Sequence, residues 1–383
     1  MEKKQAEHSL EGSQVSAFRL VRHHLADEQE AATLATLCRD VCGIQAQVMT
    51  AAQMALWARR HDLTRAAIES ALWKRRTLVK TSCMRGTLHL LSADDFPVYI
   101  AALKRSRTHQ MRRVMGKYGG VTPALADRVT RAVVETLQDG PLTRSELTER
   151  ILSLGIVRGK AKKWFQLGWW GVARQAVMEG AVCYGPERGP EVTFVRVDQW
   201  LPEQKEVEEH EAKQLLLRRY LTAYAPARPQ DFSRWTGMPM HEVRPVWASL
   251  ENELVPVSVE GRKGWVLRQD EKHLASAALG EPILRLLPSF DAYLLGHVEK
   301  DHLVGKRHLR RVYRQAGWIS PVVVLDGRVI GTWSLARQAK GLFLQVALFG
   351  NRPKTIHARL EEEAASLAAF LETPCQIRYA ARG

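Results

Sequence analysis

The chain has 383 residues, 45% hydrophobic and 25% charged, a globular composition that supplies two to four packed units and excludes a largely disordered or fibrous protein. Lys and Arg (56) exceed Asp and Glu (41), leaving a formal charge of +15 and pointing to a polyanionic partner. No apolar run reaches the ~18 residues of a spanning helix, the opening MEKKQAEHSLEGSQ has no signal-like apolar centre, and no basic amphipathic helix carries an aromatic face, so a cytoplasmic protein without a membrane partner is expected. Cys38, Cys42, Cys83, Cys183 and Cys375 are scattered and read as reduced thiols. Cys38 and Cys42 can share a helix face, but no second half of a zinc site accompanies them.

The first fourteen residues read as a frayed tail. Asp27 is placed to cap a helix running through Leu34 and Leu37 to Cys42, with Gly43 as its stop. A second helix starts near Gln47 and passes Met54, Leu56 and Trp57, and a third begins at Asp62-Leu-Thr-Arg and ends by Trp73. Thr77 to Leu91 then reads as a β-hairpin around Gly86. Three helices and a two-stranded ribbon are the plan of a winged helix.

The plan recurs twice. In the second copy Thr143 and Glu146 form a capping-box signature, the chain continues through Trp164 to Gly180, and two strands flank the Gly-Pro-Glu-Arg-Gly-Pro tip at 185–190. The acidic run LPEQKEVEEHEA at 201–212 reads as a linker or a solvated helix start. A third copy follows from about Glu208 and ends in two strands joined at Glu260-Gly261. Beyond it, LPSFDAYLLGH, PVVVLDGRVIGTWSLA and LFLQVALFG alternate like strands, with Asp326-Gly327 as a hairpin signal, before a helix from Ile356 to Leu371 and a short strand QIRYA. The expected fold is α+β, with three tandem winged-helix motifs and a β-rich C-terminal region in a C-shaped DNA-binding architecture. The expected units are 15–125, 126–202, 203–277 and 278–383.

The positive charge is clustered. Lys104, Arg105, Arg107, Arg112, Arg113 and Lys117 lie between Phe96 and Ala126 with no acid among them. Arg150, Arg158, Lys160, Lys162, Lys163 and Arg174 form a second such stretch, and from His302 to Leu360 eleven Lys and Arg face Asp326 alone. One-signed stretches suit phosphate contacts, each releasing a counterion. Tandem winged helices most often serve transcription factors, so a non-catalytic regulator reading base edges is one alternative.

Common enzyme signatures are missing: no GxxxxGK[ST], no GxGxxG after a strand, no GxSxG and no HExxH. His297 and His302 have no third ligand in view, so no metal site is expected. The segment CGIQAQVMTAAQMALWA carries Gln45 and Gln47. Two residues apart, they diverge by about 200° on a regular helix but can face one site on an extended entry, which Gly43 allows. Alone the pair is a very weak signal, and a solvated helix start is the better reading of it.

GIQAQ, then RGTLHLLSADDF (85–96), LLPSFDAYLLGH (286–297) and VLDGRVIGTW (324–333) resemble, in order and over about residues 17–370, the AlkZ/YcaQ family of winged-helix DNA glycosylases. In that family a Gln-aliphatic-Gln or Gln-aliphatic-Asp motif is catalytic, and the Gln-Ala-Gln here is similar to the first form. The resemblance implies a monofunctional glycosylase for N7- or N3-alkylated purines, unhooking of antibiotic-made interstrand crosslinks, and toxin self-resistance. It implies Gln45 and Gln47 as the catalytic pair. No cofactor and a monomer bound to double-stranded DNA are expected; a housekeeping enzyme for small alkylpurines is the second alternative.

The chemistry suits these residues. Alkylation at N7 makes the purine cationic, so the leaving group needs no acid. What remains is to place a water at C1′ and to stabilise an oxocarbenium-like transition state. A glutamine is no general base near pH 7, but its carbonyl holds a water and its dipole opposes developing positive charge. A base tied to the opposite strand cannot swing freely into a deep pocket, which favours an open cleft. Arg85, Thr87 and His89 alternate on a strand and are candidate DNA contacts. Asp291 is a candidate cleft residue, with a cap or turn role as the alternative. Arg328 sits in a hairpin, Asp326-Gly327-Arg328, that can probe a groove. Trp169, Trp170 and Trp333 read as core aromatics.

Overall fold

The computed structural model describes residues 8–26, 32–166, 171–338, 341–350 and 353–380. Asp27, Trp169 and Trp170 lie outside these residues. Helix starts follow local capping chemistry. Thr33 Oγ1 accepts the Thr36 N–H at 3.1 Å ahead of the helix Leu34–Asp40, and Thr64 does the same for Ala67 ahead of Arg65–Glu69. The Thr143–Glu146 capping box forms as expected, at 3.2 and 2.7 Å, and opens the helix Arg144–Ser153.

The protein is α+β, and its strands form three sheets among the described residues. The hairpin Leu78–Ser82 and Leu88–Ser92 does not stand alone as a wing. Its outer edge takes the short strand Ile44–Gln45, and its inner edge meets the second hairpin, Val182–Arg188 and Glu191–Arg196, through the pair Lys80 and Tyr184. With Leu142–Thr143 this makes one six-stranded sheet. The second sheet joins Leu254–Val259 and Arg262–Leu267 across the Glu260-Gly261 turn, both at positive φ. Its third strand is His8–Leu10, parallel to Leu254–Val259. The N-terminal stretch from His8 is therefore ordered sheet and not a frayed tail, because Leu10 buries its side chain against Val255 and Val257.

In the C-terminal sheet the order is Leu284–Leu287, Val322–Leu325, Arg328–Gln338, Gly341–Leu348 and the parallel Cys375–Tyr379. Of LPSFDAYLLGH only the first residue stays in a strand. Phe290 turns left-handed (φ +62°) and Asp291 caps a single turn, Ala292–Leu294, so the apolar Tyr293 and Leu294 are packed as core and not as pleated strand.

The hydrophobic cores cut across the unit boundaries expected from sequence. One core joins residues of 20–90 with residues of 283–370, and another joins residues of 42–103 with residues of 183–267. Tyr224, in the helix Glu209–Tyr224, shows why. Its buried hydroxyl sits 3.2 Å from both the Val41 and the Ala292 carbonyls, tying three expected units together. A Cβ on Gly296 would lie 2.1 Å from its ring, so glycine is required there.

Candidate active site

Gln45 and Gln47 leave the helical pattern for a local reason. Cys42 (φ +60°) and Gly43 (φ +91°) both turn left-handed, and the Gly43 N–H closes the helix Leu34–Asp40 on the Cys38 carbonyl at 2.7 Å. A Cβ on Gly43 would meet Leu91 at 2.7 Å, so only glycine allows this exit. The chain then runs extended as Ile44–Gln45, paired antiparallel with Leu90 and His89, and the Ala46 N–H reaches the Leu88 carbonyl at 2.7 Å. The helix Met49–Trp57 begins only afterwards.

Both amides meet the same turn. Gln45, buried, accepts from Arg85 Nη2 at 3.0 Å, and Gln47, exposed, accepts the Leu88 N–H at 3.4 Å. A guanidinium only donates, so Gln45 presents Oε1 to Arg85 and leaves its NH2 and one carbonyl lone pair for other partners. Gln47 keeps a long, weak contact and is the more easily released acceptor.

Gln45, His89 and Thr81 form one cross-strand row on the sheet. His89 is buried, and its Nδ1–H donates to the Thr87 carbonyl at 3.0 Å. Burial, reinforced by the Arg85 charge, pushes its imidazole down to about 3, so the ring is neutral in the physiological range. The Thr81 hydroxyl beneath it is buried without a hydrogen-bond partner. Thr87, half-buried, donates its hydroxyl to the Met84 carbonyl at 3.1 Å.

Three guanidinium groups converge on this turn. Besides Arg85, Arg107 donates to the Ser82 carbonyl at 2.6 Å and Arg174 to the Gly86 carbonyl at 2.9 Å. Sequence reasoning placed Arg107 and Arg174 in phosphate-binding stretches; their side chains instead hold the hairpin against which the glutamine strand pairs. Nothing in the local sequence distinguishes them from Lys104, Arg105, Lys160 and Lys162, which are exposed: Arg107 lies on the inward face of the helix Phe96–Val114 that also carries Lys104 and Arg105, and Arg174 opens a separate short helix, Arg174–Met178.

Asp291 is not a cleft residue. Its side chain is completely buried in a two-pronged ion pair with Arg59, both contacts 2.8 Å, and Oδ1 also accepts the Tyr293 N–H at 2.9 Å. Arg59 was not singled out from sequence. Arg328 is exposed and donates to the Asp301 carbonyl at 3.3 Å. Its hairpin does not project: Tyr293 donates to the Gly327 carbonyl at 3.1 Å, a Cβ on Gly327 would meet Ser16 at 2.8 Å, and Asp326 accepts the Ile283 N–H at 2.8 Å. Arg328 lines a cavity of about 240 Å³ together with Arg19, Tyr293, His297 and His302. His297 lies 2.9 Å from Arg19 Nη2 and edge-on to His302; among the described residues no three His, Cys, Asp or Glu side chains are placed to hold a metal ion. Trp333 is buried and donates to the Leu287 and Val322 carbonyls at 3.0 and 3.1 Å, a core role.

This basic α+β protein, with two amides beside one hairpin, is a DNA glycosylase by its relatives. The profile of the AlkZ-like DNA glycosylases matches residues 38–370, and the chain belongs to that family. The interstrand DNA cross-link repair glycosylase of Streptomyces sahachiroi is 34% identical over 366 residues, spanning 93% of this chain and 95% of that protein. The solved structure of Streptomyces sahachiroi DNA glycosylase AlkZ matches with a TM-score of 0.86 at 31% identity, over 97% of this chain and 100% of that one. No helix of the described residues is long and apolar enough to cross a membrane.

Proposed function

We propose that this DNA glycosylase hydrolyses the N-glycosidic bond of N7- or N3-alkylated purines in duplex DNA, including purines tied into interstrand crosslinks, and so protects its host from a genotoxic alkylating agent. Gln45 and Gln47 are the catalytic pair. Gln47 Oε1 accepts a hydrogen bond from the attacking water without taking its proton, and the free end of the Gln45 amide holds the water over C1′. The N9–C1′ bond breaks with its electron pair going to the cationic purine, which leaves neutral. The water oxygen bonds to C1′, and its surplus proton passes to bulk solvent. An undamaged purine, lacking the positive charge, would leave as an anion and is not a substrate. The chain acts as a cytoplasmic monomer of three winged-helix modules and a β-rich region curved around the duplex, with Thr87 and Arg328 at the DNA. The observation that carries this reading is the convergence of both glutamine amides on residues 85–88.

The cross-link repair activity of the Streptomyces sahachiroi relative supports the crosslink as substrate. Duplexes with a single N7-alkylguanine, with an N7-linked interstrand crosslink and with no lesion test it side by side. Base release from the first, strand separation of the second and neither from the third are expected. Release from the monoadduct alone would restrict the enzyme to small alkylpurines.

A further inference from the structure

The turn between the strands Leu78–Ser82 and Leu88–Ser92 holds its arginine in a conformation that gives it no local advantage. Arg85 has φ +55°, a left-handed geometry that glycine or asparagine adopts with less strain. What this geometry provides is a direction for the side chain. Nη1 donates to the Trp235 carbonyl at 2.5 Å, in the last turn of the helix Pro229–Thr236, while Nη2 donates to Gln45 Oε1 at 3.0 Å. The approach depends on Gly237, itself left-handed at φ +83°: a Cβ there would lie 3.3 Å from Arg85 Cα and 3.4 Å from its backbone nitrogen.

We infer that Arg85 is a positioning residue for the catalytic amide, fixing which end of Gln45 faces the reacting water and tying that choice to the C-terminal end of the helix Pro229–Thr236. The inference rests on the proposed role of Gln45. An amide side chain has two nearly isosteric ends. With a donor-only fork on one side, the carbonyl end is drawn inward and the NH2 end is turned out. Removing the fork frees the amide to flip and to swing about its last two torsions. A lysine retains the charge but is a single point donor and does not bridge two acceptors in a fixed fork. The Trp235 carbonyl belongs to a different segment of the chain from the hairpin. A displacement of that helix when duplex binds is therefore passed to Gln45 through one side chain.

The test is single-turnover base release at saturating enzyme, together with duplex affinity by fluorescence anisotropy and thermal melting. It compares wild type with Arg85→Ala, Arg85→Lys, Gly237→Ala, Gln45→Ala and the double variant Gln45→Ala/Arg85→Ala. Loss of roughly 10–100-fold in rate for both Arg85 variants, with affinity within about two-fold, is the expected result for a misplaced group. The double variant should be no slower than Gln45→Ala alone, since Arg85 has nothing left to position. Gly237→Ala, which moves the Arg85 backbone and leaves its side chain intact, should slow release in the same way and decides the matter if Arg85→Ala melts early. Weakened binding with an unchanged saturating rate would make Arg85 a DNA contact and overturn the inference. A double variant slower than Gln45→Ala by the full Arg85→Ala factor would overturn it too, because Arg85 would then act independently. Full activity in Gln45→Ala would instead remove the catalytic role of Gln45 on which the inference rests.

Discussion

The buried ion pair of Arg59 and Asp291 is where one side chain matters most to the fold. Both charges are closed from solvent and meet in a two-pronged pair, to which the Tyr293 N–H and the Ala55 carbonyl each add one further hydrogen bond. Removing Asp291 strands a guanidinium in the core, a loss of about 3–5 kcal/mol. Asp291→Ala should therefore melt well below wild type while its surviving folded fraction keeps duplex affinity; weakened binding at unchanged stability would restore a role at the DNA. From the sequence the two glutamines were legible only through resemblance, since two polar residues two apart fit a solvated helix start as well. The left-handed Cys42–Gly43 exit that makes the pair a site is a backbone property, and of its two residues only the glycine hints at it. For Asp291 the cap role was legible and is what forms, but its ion pair was not, because Arg59 lies 232 positions away.

At the scale of elements, local chemistry carried far. The Thr143–Glu146 box, the Glu260-Gly261 turn, the hairpin around Gly86 and the last helix and strand all formed where the pattern put them. Failures came where tertiary packing overrode periodicity, as in residues 288–297, whose apolar alternation serves irregular core segments. The last helix, Lys354–Phe370, has its own testable feature. Glu363 is buried on the C-terminal sheet, accepts the Leu286 N–H at 2.9 Å, and has Arg285 and His61 within 3.4 and 3.5 Å. Burial pushes its carboxyl up to about 7, against the Arg285 charge and the Leu286 hydrogen bond, with Glu362 adding to the rise. The folded state thus holds this proton up to about pH 7 while the unfolded chain releases it near the ordinary glutamate range. Its contribution to stability is fully present below that range and is lost as pH rises toward 7. His61, pushed down to about 4 by burial and Arg285, acts in the opposite sense. Comparison with Glu363→Gln isolates the carboxyl: wild-type stability relative to the variant should fall by a few kcal/mol between about pH 4.5 and 7 in urea melts. A difference that stays constant or grows with pH would contradict the shift.

For the whole molecule, composition pointed to a polyanion but not to a surface. The expected units were drawn by repeating helix–hairpin patterns, and the shared six-stranded sheet and the cores that cross those units were invisible to them, because sequence periodicity reports which face is buried and not against what. The basic stretches divide in the same way. Lys160 and Lys162 are exposed, whereas the Arg112 guanidinium is committed to Asp127 and reaches Gln175. Duplex affinity should fall steeply with salt, with a slope near −5 on a log–log plot if about six phosphates are neutralised. Lys160→Gln and Lys162→Gln should each reduce that slope by about 1, and Arg112→Gln should leave it unchanged. An equal effect from Arg112→Gln would show that its pairing does not keep it from the DNA.

The central claim is that a pair of neutral amides carries out the hydrolysis. Its most direct measurement is abasic-site formation on a duplex with one N7-alkylguanine, under single-turnover conditions and at saturating enzyme, for wild type, Gln45→Ala and Gln47→Ala. The account predicts release by wild type and a loss of about 100-fold or more in each variant, at unchanged affinity and melting temperature. Release at the wild-type rate by either variant would contradict it and move the catalytic groups elsewhere in the protein.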